Sequence, residues 1–281
     1  MKLVKILLAS ALILSTAACS FVFPQQANTI DPETVTVAEE PPSGTESTYV
    51  NLDMGAGQLN IEPGSSKLIE GTVRYNIAEW KPTVSRSSGS VTIKQESSGV
   101  TALPGSSIIN EWKLKIGTAP IDLIINAGAY EGNMEFGGAA ITSLEINDGA
   151  SKNTVSFSEP NLAVLKNFTY KTGASDVEIN GLGNANFSNL KFEGGAGSYT
   201  LDFSGELRQD GNVNFSGGVS SVTIIVPQGT NMKVVLTGEL TDVQTTGKWS
   251  SENKTYTTSA EGPMVTIYVD LGVGSLKLVQ K

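Results

Sequence analysis

GGAGSYTLDFSG, the run from Gly194 to Gly205, decides how this chain is read. Its Gly195-Ala196 pair is followed by Tyr199, Leu201 and Phe203 and preceded by Leu190 and Phe192, each set at alternate positions. Alternation over short runs marks half-buried β-strands, because successive side chains in a strand point to opposite faces. A glycine between two such runs marks a corner, where the backbone needs positive φ or comes close to a neighbour.

The same unit recurs through the chain. Glycine followed by alanine or valine stands at Gly128, Gly149, Gly173, Gly195 and Gly218, with spacings of 21, 24, 22 and 23 residues. Leu123 and Ile125, Leu144 and Ile146, Phe168 and Tyr170, and Val213 and Phe215 precede the other four glycines. Met134 and Phe136, Val155 and Phe157, Val177 and Ile179, and Val222 with Ile224 and Val226 follow them. A copy is therefore strand, glycine corner, strand and return loop. One copy cannot bury its apolar face alone, so the copies must stack into a continuous core.

Two further copies, at Val50–Gly57 and Ile267–Gly274, resemble each other more than they resemble the central five. Terminal repeats have a face without a neighbour, so these are expected to be atypical capping rungs. The fold class is all-β, a parallel β-solenoid of the β-helix kind, with structural glycines at Gly55, Gly128, Gly149, Gly173, Gly195, Gly218 and Gly272.

The first residues carry an export signal: Lys2 and Lys5, an apolar core from Ile6 to Leu14, then small residues. That core is too short to span a bilayer. Two readings of the cleavage are open. An ordinary peptidase would cut after Ala18, leaving the next residue unmodified. A lipoprotein peptidase would leave Cys19, the only cysteine among 281 residues, to be acylated, and the position of that single thiol favours lipidation at Cys19. The polar, proline-rich stretch that follows has too little apolar material to bury and reads as a disordered tether. The expected organisation is a signal peptide over 1–18, lipidated cysteine and tether over 19–48, an N-terminal β region over 49–118, central repeats over 119–240 and C-terminal capping strands over 241–281.

Composition excludes several chemistries. The chain has no histidine, which removes Ser-His-Asp and Cys-His catalysis and the commonest zinc sites. Apart from Cys19 it has no thiol for a disulfide or a cysteine metal site. Losing Lys2 and Lys5 with the signal takes the formal charge from −9 to −11. A body this negative is a poor partner for nucleic acid.

At this point the residues resemble a known family. LDMGAGQLNIE at Leu52–Glu62, the stretch Glu70–Asn76, the stretch Pro82–Gln95 and the motif at Gly194–Gly205 are similar to bacterial toast-rack envelope proteins and to related adhesin-like head domains. The similarity runs from Tyr49 to Leu278. It implies a right-handed β-solenoid outside the cytoplasmic membrane. Some members are linked to envelope responses to cell-wall-active antibiotics, so the resemblance also admits a stress sensor or regulator acting through a membrane partner. It supplies no catalytic residue.

Two polar columns and a few short motifs offer sharper candidate sites. The outward position between the apolar residues after each glycine reads Asn60, Glu135, Ser156, Glu178, Asp202, Thr223 and Lys277, which would set Glu178 beside Asp202. Facing carboxylates are what glycoside hydrolysis requires, but a column of mixed chemistry reads better as a solvated sheet. Two residues before each glycine stand Asp53, Asn126, Asn147, Lys171, Glu193, Ser216 and Asp270. Stacked oxygen ligands can hold calcium, yet Lys171 interrupts them and turn formation accounts for the rest. Ser188–Lys191 and Ser251–Lys254 match Ser-x-x-Lys without the partner motifs that spacing needs. Trp80, Trp112 and Trp249 are read as covers for the ends of the core rather than sugar platforms. The sequence thus leads to a non-catalytic surface lipoprotein without cofactor or bound metal, held to the membrane by its lipid and presenting its solenoid to cell-wall glycan or an envelope protein.

Overall fold

A computed structural model of the chain describes residues 29–44, 46–96, 107–238 and 242–281. The strands are β1 (Thr29–Glu39), β2 (Thr48–Pro63), β3 (Ile69–Ile77), β4 (Pro82–Ser87), β5 (Ser90–Gln95) and β6 (Asn110–Ile116), with one 3-10 turn at Ala78–Trp80. Five long strands follow: β7 (Ile121–Glu135), β8 (Ile141–Ser156), β9 (Leu165–Asn180), β10 (Phe187–Asp202) and β11 (Gly211–Val226). Then come β12 (Asn231–Leu236), β13 (Asp242–Thr246), β14 (Ser250–Glu252), β15 (Thr255–Thr257) and β16 (Met264–Gln280). All join one sheet, in the order β1-β3-β6-β2-β7-β8-β9-β10-β11-β16-β12-β15-β14, with β13 beside β16, and with β5 beside β2 and β4.

The seven glycine-bearing strands, β2, β7 to β11 and β16, pair in parallel, and each residue faces its equivalent in the next copy. Ala56 meets Ala129, Ala150, Ala174, Ala196, Val219 and Val273 in turn. Pairing skips the glycine in every one of these ladders. The burial pattern also shifts phase there. In β10, Phe192 and Tyr199 are buried, whereas Gly195 and Ala196 are both exposed. Two consecutive outward residues move the inward set from odd to even positions counted from the glycine, so each strand has two faces meeting at that point. Repetition of this two-faced strand through seven rungs makes the architecture solenoid-like.

The core is the inward columns of both faces. Tyr170, Phe192 and Phe215 stack with ring centroids 5.2 and 4.8 Å apart, and Tyr199 tilts against Phe192 at 4.8 Å. Such contacts add about 0.5–1.5 kcal/mol each beyond the area they bury. Phe136, Phe157 and Phe203 fill the far end of the second face.

Two expectations are corrected. The segment 19–48 was expected to be a disordered tether, but it contains β1, which pairs antiparallel with β3 and buries Val37 and Glu39. The strand is poor in apolar residues on its own account and is held by the open edge of β3. Arg86 ion-pairs with the buried Glu39, and Tyr75 donates to Glu33 at 2.6 Å. Burial, followed by that Glu33 contact, pushes the Tyr75 phenol up to about 12. The copies at Val50–Gly57 and Ile267–Gly274 were expected to be end caps, but both are full rungs. β5 and β6 cover the far edge of β2, and β12 and β13 cover that of β16. The outermost positions belong to short antiparallel strands without the motif.

Candidate functional site

The glycine column runs along the ridge where the two faces meet. A Cβ on Gly128, Gly149, Gly173, Gly218 or Gly272 would lie 2.5 to 3.0 Å from the carbonyl oxygen of the glycine one rung away, and one on Gly195 would run into that of Gly173. Gly55 has no atom within 4 Å of that position. None of the seven has a left-handed φ. The requirement at the six crowded glycines is therefore close approach between rungs. Beside this column runs an outward row of alanine and valine, in which Val219 and Val273 are more than 60% exposed.

The outward columns differ from the expected ones after the glycine. Glu178 faces Thr154 on one side and Thr200 on the other, not Asp202. Each rung keeps a fixed count from its glycine, so the column five residues on is Asn60, Asn133, Thr154, Glu178, Thr200, Thr223 and Lys277. Glu135 and Asp202 belong two residues further along their strands. Apolar residues alone point to Glu135 and Ser156 because Gly132 and Asn153 occupy inward positions in β7 and β8, and they admit Asp202 in place of Thr200 because three apolar residues, Tyr199, Leu201 and Phe203, follow Gly195. The column two residues before the glycine holds the expected residues, but they lie within paired strands and not in turns. Asn147 donates to Asn126 at 2.9 Å, Asn126 to Asp53 at 2.6 Å and Asn51 to Asp53 at 2.9 Å, so its amides satisfy one another. Lys171, which interrupts it, ion-pairs with Glu145 at 3.3 Å.

Sequence reasoning missed a polar cluster inside the solenoid. Asp148, next to Gly149, points inward, where β2 has Met54 and β16 has Leu271. Its Oδ2 accepts from Tyr170 at 2.8 Å, Ser151 at 3.0 Å and Asn153 at 3.1 Å, while its Oδ1 accepts from Thr172 and from Ser175 at 3.3 Å. Asn153 also donates to the Tyr130 and Tyr170 hydroxyls at 2.6 Å. Burial above all pushes both phenols up, and the Asp148 charge adds to it. Five neutral donors thus hold one carboxylate. Its only signal in sequence was an acid at a position that is inward in every copy.

Shallow grooves interrupt both faces. One, of about 680 Å³, lies before the glycines between Tyr49, Asp122, Ser143 and Asn167. Another, of about 550 Å³, has Ala129, Ala150 and Ala174 as its floor and Ile108 and Gln58 at its wall. A third, of about 320 Å³, runs between Glu131, Asn133, Lys152 and Thr154.

The family model for the N-terminal domain of toast_rack, DUF2154, matches residues 25–166 and 161–225. This chain belongs to the toast-rack family. Solved structures similar to this toast-rack protein include a candidate cell-adhesion protein from Clostridium sporogenes ATCC 15579, at 22% identity over 89% of this chain and 100% of that one, TM-score 0.49. Others are a candidate adhesin from Bacteroides fragilis NCTC 9343 (11% identity, 88% and 96% coverage, TM-score 0.35) and a candidate lipid-binding protein from Parabacteroides distasonis ATCC 8503 (10%, 88% and 96%, 0.36). No curated protein matches the chain.

The remaining sequence sites of this toast-rack protein fall as follows. Trp112 is fully buried, Trp80 packs in a small cluster with Tyr75 and Ile77, and Trp249 lies half-buried against the core. Among the described residues the exposed aromatics are Tyr49 and Tyr268. Cys19, the expected lipidation site, lies outside the described residues. Among the described residues no helix is long and apolar enough to cross a membrane.

Proposed function

We propose that this toast-rack protein is a non-catalytic lipoprotein of a bacterial cell surface, anchored through Cys19, whose right-handed parallel β-solenoid presents its outward columns to cell-wall glycan or to an envelope protein. In this reading the short strands beyond β2 and β16 cap the stack and keep its edges from pairing with other chains. The observation that carries it is the outward chemistry. Seven rungs set side chains in register, and amides, hydroxyls and mixed charges fill the columns, with Glu178 between threonines rather than beside a second carboxylate. A surface of this kind offers many weak, evenly spaced hydrogen bonds to an extended partner.

The test is retention of the purified full chain, in mild detergent, on peptidoglycan, on a panel of glycans and on solubilised envelope extract, with and without calcium. Retention on envelope material with no release of sugar is the expected result. Released sugar would end the non-catalytic reading, and recovery of one membrane protein in place of glycan would favour a regulator acting through that partner. Failure to bind any of the three would remove the surface-binding function altogether.

A further inference from the structure

We infer that the groove headed by Tyr49, on the face preceding the glycines, is a binding subsite for a neutral oligosaccharide lying along the solenoid axis; the inference rests on the surface-binding function proposed above. Four consecutive rungs build it. Tyr49 of β2 faces Asp122 of β7, Asp122 faces Ser143 of β8, and Ser143 faces Asn167 of β9. Adjacent rungs stand ~4.8 Å apart, so the column places an aromatic ring, a carboxylate, a hydroxyl and an amide in a row about 14 Å long, from three such steps. Glu46 and Lys166 stand at the edges of the groove, which encloses about 680 Å³.

Tyr49 is 43% exposed, whereas Tyr75, Tyr130, Tyr170 and Tyr199 are all buried in the core. An exposed ring in a concave surface offers an apolar face to the C–H side of a pyranose. Asp122 is held in place. Its Oδ1 accepts from Thr142 at 2.6 Å, the single hydroxyl hydrogen being shared with the Ile121 carbonyl at 2.8 Å, and Thr142 Oγ1 meets Ser47 Oγ at 3.0 Å. Oδ2 has no hydrogen-bond partner among the described residues, so a positioned acceptor remains for a sugar hydroxyl. A concave site with an apolar face and a few convergent polar groups is the usual form of a small-ligand site.

Other ligand classes fit less well. An extended peptide would need an open strand edge for backbone pairing, and β7, β8 and β9 are paired on both sides. A polyanion would meet Glu46 and Asp122 against the single Lys166, because Glu145 is ion-paired with Lys171. An uncharged, hydroxyl-rich chain satisfies both conditions.

The experiment measures binding of the purified full chain, wild type and variants, to neutral oligosaccharides of glucose, mannose, galactose and N-acetylglucosamine by titration calorimetry. Tyr49→Ala and Asp122→Asn should each weaken binding about tenfold, equivalent to about 1.4 kcal/mol, while Tyr49→Phe keeps it. Thermal unfolding should be unchanged, because Tyr49 is outside the core. Undiminished binding in Tyr49→Ala and Asp122→Asn would overturn this groove and leave the surface-binding function standing. Retention on envelope material with no affinity for any oligosaccharide would overturn the saccharide class alone. A chain that binds neither would overturn both.

Discussion

Gly195 has its neighbour's carbonyl where a side chain would begin, and Gly55 has open space there. The two carry the same motif, so the difference is one of position in the stack. Replacing Gly195 by Val should cost about 1–3 kcal/mol, the usual range for forcing extra carbon into a packed site. Gly55→Ala should fall within about 0.5 kcal/mol of wild type. Urea midpoints of the two variants would check this, and equal values would show that rung spacing does not depend on the glycine column. The glycines themselves were visible in the sequence through their period. Which of the two reasons for a glycine applied was not, since φ and close approach depend on the rung that comes to lie alongside.

At the scale of the strand, β8 and β9 carry a hydrogen-bonded cluster of polar groups on their inward side. Asp148 accepts from Tyr170, Ser151, Thr172, Ser175 and Asn153, so Asp148→Ala would leave the buried Tyr170 hydroxyl without its acceptor and remove one acceptor from each of the others. One such buried group alone costs about 1–3 kcal/mol, and a loss of at least that size in chemical denaturation is expected. A change below about 0.5 kcal/mol would mean that the cluster contributes no stability. Alternation disclosed these strands readily, but it also concealed their register. A reading that follows apolar residues can take the outward position of β10 between Leu201 and Phe203 instead of between Tyr199 and Leu201, and Glu178 then appears opposite Asp202. Counting from the glycine would have placed Glu178 between Thr154 and Thr200.

At the scale of the whole molecule, the proposed anchor at Cys19 would hold the solenoid body to a membrane. If Cys19 carries the anchor, Cys19→Ser should move the protein from the membrane to the soluble fraction, as judged by fractionation and immunoblotting; an unchanged membrane fraction would rule the anchor out. Because β1 occupies Thr29–Glu39 and pairs with β3, that part of the proline-rich stretch belongs to the sheet. The sequence alone determined the all-β class, the seven-fold glycine motif, the outward amide column and the absence of histidine chemistry. These follow from local rules, such as side-chain parity and residue type, that need no knowledge of distant partners. Only the tertiary structure decided that β16 inserts between β11 and β12, that β1 joins the edge of β3, that Asp148 meets four hydroxyls and an amide, and that Tyr49 stands at the head of a row of hydrogen-bonding groups. Each is a pairing between segments far apart in the chain, settled by which strand edges remain open and which side chains a stacked rung brings within reach.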